Sequence, residues 1–253
     1  MPDLYLVTAI AVAACAYASV GHAGASAYLA LLALWGLAPE AIRPAALILN
    51  IAVAVIATVR FTVAGHLRWR ILVPCLVTSL PAAWLGGRIN LPTWAFLLLL
   101  GICLLWAAGR LAWPTRPLDP ATSPPERIPL GIALIAGAII GFISGLIGIG
   151  GGILLSPLLM LGGWASARTA AATSAAFILL NSVAGLAGRL PMTPTLPPDL
   201  AWWCVAAMLG GALGSTLGAA HFSTATLRRI LAVILALAGM KMLWMACGAL
   251  GKL

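Results

Sequence analysis

The sequence predicts an all-α polytopic membrane protein of two inverted repeats. Each repeat holds about five helical segments, with short broken or re-entrant half-helices at Gly-rich breaks. Three observations predict this. Of 253 residues, 63% are apolar and 8% charged, with a mean hydropathy of +1.11, whereas a soluble domain is about half apolar and about a quarter charged. The apolar residues form continuous runs, not the roughly ten-residue apolar/polar alternation of barrel strands. The order of features in the first half also recurs about 127 residues later.

The runs of the first half cover residues 4–22, 25–37, 41–62, 70–88 and 92–112. Those of the second cover residues 130–147, 152–163, 167–189, 199–220 and 226–248. A full span takes roughly 20 residues. The second run of each half is shorter: Ile153 to Gly163 reaches about 17 Å at 1.5 Å per residue, against a hydrocarbon core of about 30 Å. Each is therefore expected to enter to the midplane as a half-helix after a break. Such non-helical backbone is tolerated only where protein or a watery cavity surrounds it.

The repeats are expected over residues 1–110 and 130–253, joined by a cytoplasmic linker at 111–129. That linker holds six prolines and the charges Arg116, Asp119, Glu126 and Arg127, so it cannot continue a helix. The repeats align Gly21-His22-Ala23-Gly24-Ala25 with Gly148-Ile149-Gly150-Gly151-Gly152, followed by Tyr28 to Gly36 and Ile153 to Gly163, then Ala41 to Ala46 and Ala167 to Ala172. Internal duplication is common in secondary transporters.

The net charge of +9 does not point to nucleic acid, because the fourteen Lys and Arg form no basic stripe and read as topology signals at helix ends. Arg60, Arg68, Arg70, Arg110, Arg116, Arg127, Arg168, Arg228 and Arg229 fall on one side, and Arg43, Arg88, Arg189 and Lys252 on the other. The richer side is the cytoplasm. This places both termini outside and gives the halves opposite orientations. Arg88 and Lys241 are expected to snorkel to the headgroups. Most tryptophans, such as Trp69, Trp94, Trp113, Trp202 and Trp203, read as an interfacial belt. The five cysteines lie in apolar runs without a CxxC and read as small core residues.

Chemistry concentrates at the glycines. In Ser144-Gly145-Leu146-Ile147-Gly148-Ile149-Gly150-Gly151-Gly152, consecutive glycines cost helix stability and free N–H groups where the next half-helix begins. A helix N-terminus carries partial positive charge and unpaired donors, which suit an anion. The counterpart, Gly21, His22, Gly24 and Ser26, offers a second donor cluster. Gly137, Gly141 and Gly145 stand instead at the small-xxx-small spacing of helix packing.

A polar face follows each short segment: Thr173, Ser174, Asn181 and Ser182 in the second half, Asn50 and Thr58 in the first. Asn50, Thr173 and Ser174 read equally as anion donors or as interhelical glue, while Thr58 and Ser182 read as glue. His22 can donate to an anion or titrate near neutral pH, or bond a backbone carbonyl. His66 and His221 read as interfacial, and with no suitable partners no metal site is expected.

Five acidic residues and three histidines leave little from which to build an enzyme, and no cofactor is implied. Asp3, Glu40, Asp119, Glu126 and Asp199 all fall at segment ends or in loops. A proton-driven carrier usually relays through membrane-embedded carboxylates. An inside-negative potential alone expels an anion, with about 2.3 kcal/mol per charge per 100 mV.

The chain resembles the TauE/SafE family of sulfite exporters, also called TSUP. The resemblance rests on Gly148-Ile149-Gly150-Gly151-Gly152, Ser156-Pro157-Leu158 and Ala172-Thr173-Ser174, and in the first half on Asn50, Arg60 with Gly65-His66, and Pro81 leading to Gly86-Gly87. It covers almost the whole chain; the first Gly-rich element departs by carrying His22, Ala23 and Ala25. The resemblance implies transport of small sulfur anions across the bacterial inner membrane: sulfite, thiosulfate, sulfoacetate or related organosulfonates.

The expected function is therefore export of sulfite or a small organosulfonate by alternating access. The anion would be bound at the midplane by Gly148, Gly150, Gly151, Gly152, Ser144, Thr173, Ser174, Asn50, Gly21, His22, Gly24 and Ser26. Its partners are that anion and the bilayer, with a homodimer left open. The alternatives are a proton-coupled importer of thiosulfate or an organosulfonate, an intramembrane enzyme using Ser144, and a scaffold subunit. An enzyme would need a positioned base, and Gly141-Phe142-Ile143-Ser144-Gly145 has one residue too many for the motif of membrane serine proteases.

Overall fold

The computed structural model describes residues 3–19, 24–112, 128–192, 196–217 and 224–250. Gly21 and His22 and most of the Pro-rich linker lie outside the described residues. The described chain folds into ten helices: α1 (Leu4–Ser19), α2 (Ala25–Leu34), α3 (Pro39–Val63), α4 (Trp69–Arg88), α5 (Thr93–Ala112), α6 (Leu130–Ile147), α7 (Gly152–Leu161), α8 (Ala167–Arg189), α9 (Leu200–Leu217) and α10 (Thr224–Leu250). Five of them, α3 to α6 and α8, are long and apolar enough to cross a membrane. No strand occurs among the described residues.

The ends follow local chemistry. Pro39 opens α3, two residues before the apolar run, because proline's missing N–H is an orphan in the first turn anyway. Left-handed glycines close α2 and α7: Gly36 follows α2 at φ 80° and Gly163 follows α7 at φ 68°. The left-handed region places no penalty on glycine, which has no Cβ. The two half-helices also begin alike, with Gly24 (φ 84°) capping α2 and Gly151 (φ 79°) capping α7. The pairs Gly24/Gly151 and Gly36/Gly163 have the same separation in sequence.

Each half-helix is 10 residues long, about 15 Å. The end of α2 lies beside the start of α1, since Trp35 Nε1 donates to Asp3 Oδ2 at 2.7 Å. Leu155 and Leu159 of α7 and Ala165 beyond it share a buried cluster with Leu67, Ile71 and Ile128, so α7 returns toward the starts of α4 and α6. Between them α3 and α8 run antiparallel. Leu47 meets Gly185, and further along Asn50 and Ser182 both face Gly150. The half-helices therefore end at opposite ends of the α3–α8 pair.

Helix pairing has the same form in both halves. α4 packs on α6 as α9 packs on α1, α4 on α8 as α9 on α3, and α7 on α8 as α2 on α3. α3 pairs with α8, and α5 with α10.

Small residues make these pairings close. A Cβ added at Gly137, Gly141 or Gly145 of α6 would run into the backbone of Cys75, Ser79 or Ala83 of α4. Gly86 and Gly87 of α4 press in the same way on the carbonyls of Phe142 and Gly185, and Gly210 and Gly214 of α9 on those of Ala11 and Cys15. Apolar burial does little to drive helices together in lipid, so dispersion at close backbone approach carries the association. Trp69 and Trp202 are exposed as expected of a belt, but Trp203 is buried in the core, because it faces inward on α9 one residue round from Trp202.

Gly141→Ala should lower the melting temperature in detergent by several degrees, since the added methyl meets backbone that cannot step aside. Gly131→Ala, on the same helix with open space around it, should be neutral or stabilising by up to about 1 kcal/mol. The Trp35 hydrogen bond, with two from the backbone of α1, holds the exposed Asp3 carboxyl below its ordinary range. Its stabilisation is thus present above the unfolded pKa, about 3.9, and is lost as pH falls through the lower folded value. Wild type and Asp3→Asn should differ in melting temperature near neutral pH, and the difference should close in strong acid.

Candidate functional site

The centre of the second half is the break between α6 and α7. α6 ends at Gly148, whose N–H still donates to Ser144 O at 2.7 Å, and α7 begins at Gly152. Between them the backbone turns through left-handed Gly148 (φ 88°), Gly150 (φ 75°) and Gly151 (φ 79°). No described backbone hydrogen bond is donated by Gly150, Gly151 or Gly152, and all of these residues are buried. Three consecutive N–H groups thus stand free at the start of a helix, inside the protein. A buried backbone donor normally has a partner.

α3 and α8 wall the break. Asn50 lies near the middle of α3, fully buried; its Nδ2 donates to Gly148 O at 3.3 Å, while its Oδ1 has no partner. A Cβ placed on Gly150 would lie 3.2 Å from Asn50 Nδ2, 3.2 Å from Ser182 Oγ and 2.8 Å from Ile178. At Gly151 it would meet Phe177 and Ile140, and at Gly152 Ile178. The glycines therefore let the turn lie directly against α3 and α8, with an amide N–H and a hydroxyl at its side. Ser182 Oγ is buried and unpartnered.

Of the sequence-predicted residues, the structure brings together Gly148, Gly150, Gly151, Gly152 and Asn50. Ser174 touches the same place through its carbonyl, 3.1 Å from the Cβ position of Gly152. Its hydroxyl pairs with Ser156 Oγ at 2.7 Å, tying α7 to α8. Ser144 and Thr173 are buried with unpartnered hydroxyls; neither is among the closest neighbours of the break glycines. Ser182, expected as packing glue, faces the break instead, because it stands one turn from Ile178 on the same side of α8.

The first-half break is described from Gly24 onward. Gly24 O accepts from Ala27 and Tyr28. Ser26, fully buried, shares a 2.7 Å hydrogen bond with Tyr17 of α1. Tyr28 OH, also buried, has no partner and lies 2.8 Å from the Cβ position of Gly24. Tyr17 and Tyr28 are absent from the sequence-level site. A signal was present: two of the chain's three tyrosines flank this element.

Two arginines expected at helix ends as topology signals are buried, Arg43 at 2% exposure and Arg189 at 4%. Both reach the C-terminal end of α4. Arg43 Nη2 donates to Ile89 O at 3.0 Å, and Arg189 donates to Gly87 O at 3.4 Å and Asn90 Oδ1 at 3.3 Å. They turn inward because the antiparallel α3 and α8 bring both to the free carbonyls where α4 stops. Arg88, by contrast, is exposed and lies over Trp84 at 4.6 Å.

The family model described as "Sulfite exporter TauE/SafE" matches residues 6–242. A relative from Sinorhizobium fredii, described as "Probable membrane transporter protein y4hK", is 41% identical over 240 residues, covering 94% of this chain and 97% of the relative. Another from Bacillus subtilis, "Probable membrane transporter protein YunE", is 33% identical over 119 residues, or 46% of this chain and 41% of its own. No solved structure matches. An all-helical fold, five long apolar helices and a family match across nearly the whole chain agree with one another: the chain belongs to the TauE/SafE sulfite exporter family, and it is a multi-pass transporter of the inner membrane, not an enzyme.

Proposed function

We propose that this transporter moves a small sulfur oxyanion, sulfite before thiosulfate or an organosulfonate, outward across the membrane by alternating access. One observation carries the reading: the free N–H groups of Gly150, Gly151 and Gly152 in a buried break, beside the hydroxyl of Ser182 and the amide of Asn50. Neutral donors at a helix N-terminus bind an anion without a fixed cation, so the ion is held and also released. The family description supplies the sulfur chemistry.

The first-half break completes the reading. Ser26, Tyr17 and Tyr28 place hydroxyls around Gly24 at the start of α2, and Gly21 and His22 precede it in sequence. The matching helix pairs, the antiparallel α3–α8 crossing and half-helices ending at opposite ends support a pair of inverted repeats. In such a pair, two equivalent packings of α2 and α7 against α3 and α8 alternately open the site to each side.

The acidic residues support a potential-driven cycle. Glu40 lies in the first turn of α3, Asp3 precedes α1 and Asp199 precedes α9, and Asp119 and Glu126 belong to the linker. With no carboxylate in the middle of a span to carry a proton, the anion's charge crosses the field uncompensated. That supplies about 2.3 kcal/mol per charge per 100 mV.

Purified protein in liposomes, with a potassium gradient and valinomycin setting the potential, tests this. Sulfite efflux should rise with potential and persist without a pH gradient. Failure of folded protein to move sulfite, thiosulfate and organosulfonates would overturn the proposal, and uptake driven by a pH gradient alone would reverse its direction. Gly150→Ala should cut flux at least about tenfold, equivalent to about 1.4 kcal/mol, since its methyl collides with Ile178, crowds Asn50 and Ser182 and strains a left-handed turn. Ser182→Ala should raise the half-saturating sulfite concentration several-fold without changing the melting temperature by more than a degree or two.

A further inference from the structure

Arg43 and Arg189 both bond the end of α4. Both guanidiniums are withdrawn from solvent, at 2% and 4% residue exposure, yet every acceptor they have is neutral: two backbone carbonyls and the Asn90 side chain. The Nε of each is buried without a partner. Glu40, one turn before Arg43, is exposed and acts on both at a distance, without a contact ion pair among the described residues, and Arg43 lies over the Phe96 ring at 5.9 Å.

A buried charge is costly unless paired. The carbonyl end of α4 offers roughly half a negative charge against two positive ones. The bonds to Gly87 and Asn90, at 3.4 and 3.3 Å, are longer than the usual N–H···O separation of about 2.9–3.0 Å. They are the kind an ionised acceptor displaces, since hydrogen bonds to an anion are roughly twice as strong. The guanidinium fork matches an oxyanion with two or more oxygens.

The backbone of Arg43 also adjoins the break. The Cβ position of Gly148 lies 3.1 Å from Arg43 O and 3.5 Å from Arg43 Cα. The arginine distribution assigns this end of the molecule to the outside. We infer that Arg43 and Arg189 form a second anion site, an outer station where a small oxyanion leaving the glycine break is held by both guanidiniums before release. This rests on the reading that the break carries the anion, and it adds a site on separate residues.

The experiment measures equilibrium binding of radiolabelled sulfite to the purified full-length protein, with melting temperature recorded for each variant. Gly150→Ala should abolish binding at the break yet keep binding at the arginine pair. On that background Arg189→Lys, which keeps the charge near α4 but loses the fork, should weaken the remaining binding at least tenfold. Asn90→Asp is the sharper variant. Asn90 is exposed, so the change is tolerated, and its carboxylate should occupy Arg189, raising the melting temperature while lowering sulfite affinity tenfold or more.

A capping role alone would move melting temperature and leave affinity unchanged. Wild-type affinity in folded Asn90→Asp and Arg189→Lys would overturn the inference, as would absence of any sulfite binding outside the break. Binding that persists in Gly150→Ala and is lost on adding Asn90→Asp, in a protein that moves no sulfite in liposomes, would sustain the arginine site while defeating the transport reading.

Discussion

In a hydrocarbon layer no water is present to satisfy a freed backbone group. The structure is organised around a place where three backbone N–H groups are left without a protein partner among the described residues. Between Gly148 and Gly152 the helix ladder stops, the chain turns through three left-handed glycines, and free N–H groups point into the interior. Such a turn survives only if packed helices surround it. α3 and α8 do so, one bringing Asn50 to the Gly148 carbonyl and the other Ile178 and Ser182 to the glycine faces.

The packing around the break follows from that requirement. α3 and α8 can close over a five-residue turn only if the layers behind them are thin. Glycines at successive turns of α6 let α4 lie against it at backbone distance, and Gly87 of α4 meets Gly185 of α8 in the same way. Small residues in these helices are thus tied to a polar site that none of them touches. Bulk at any of them displaces the helices that seal the break.

Much of this is legible in the chain itself. Long apolar runs identify the helices, because hydropathy in a bilayer has few structural solutions. Gly and Pro mark their ends: the second half-helix was expected over residues 152–163 and is helical over Gly152–Leu161, closing on Gly162 and Gly163. Asn50 stands out as a polar residue in a span. What was not legible is direction. Thr173, Ser174, Asn181 and Ser182 lie within three turns of one helix, and their order does not say which faces the glycines. The structure selects Ser182 through its hydroxyl and Ser174 through its carbonyl.

The sequence by itself determined a membrane-embedded helical chain and the break before its second half-helix. These depend on local properties: apolar length, helix propensity and the freedom of glycine to take positive φ. Only the tertiary structure decided that Arg43 and Arg189, 146 positions apart in sequence, meet at one end of α4, and that Tyr17 meets Ser26 and Tyr28 lies against Gly24. Burial of an arginine depends on which carbonyls its neighbours leave unpaired, and those neighbours come from helices distant in sequence. No local pattern records such a meeting, because it is made by the crossing of α3 with α8.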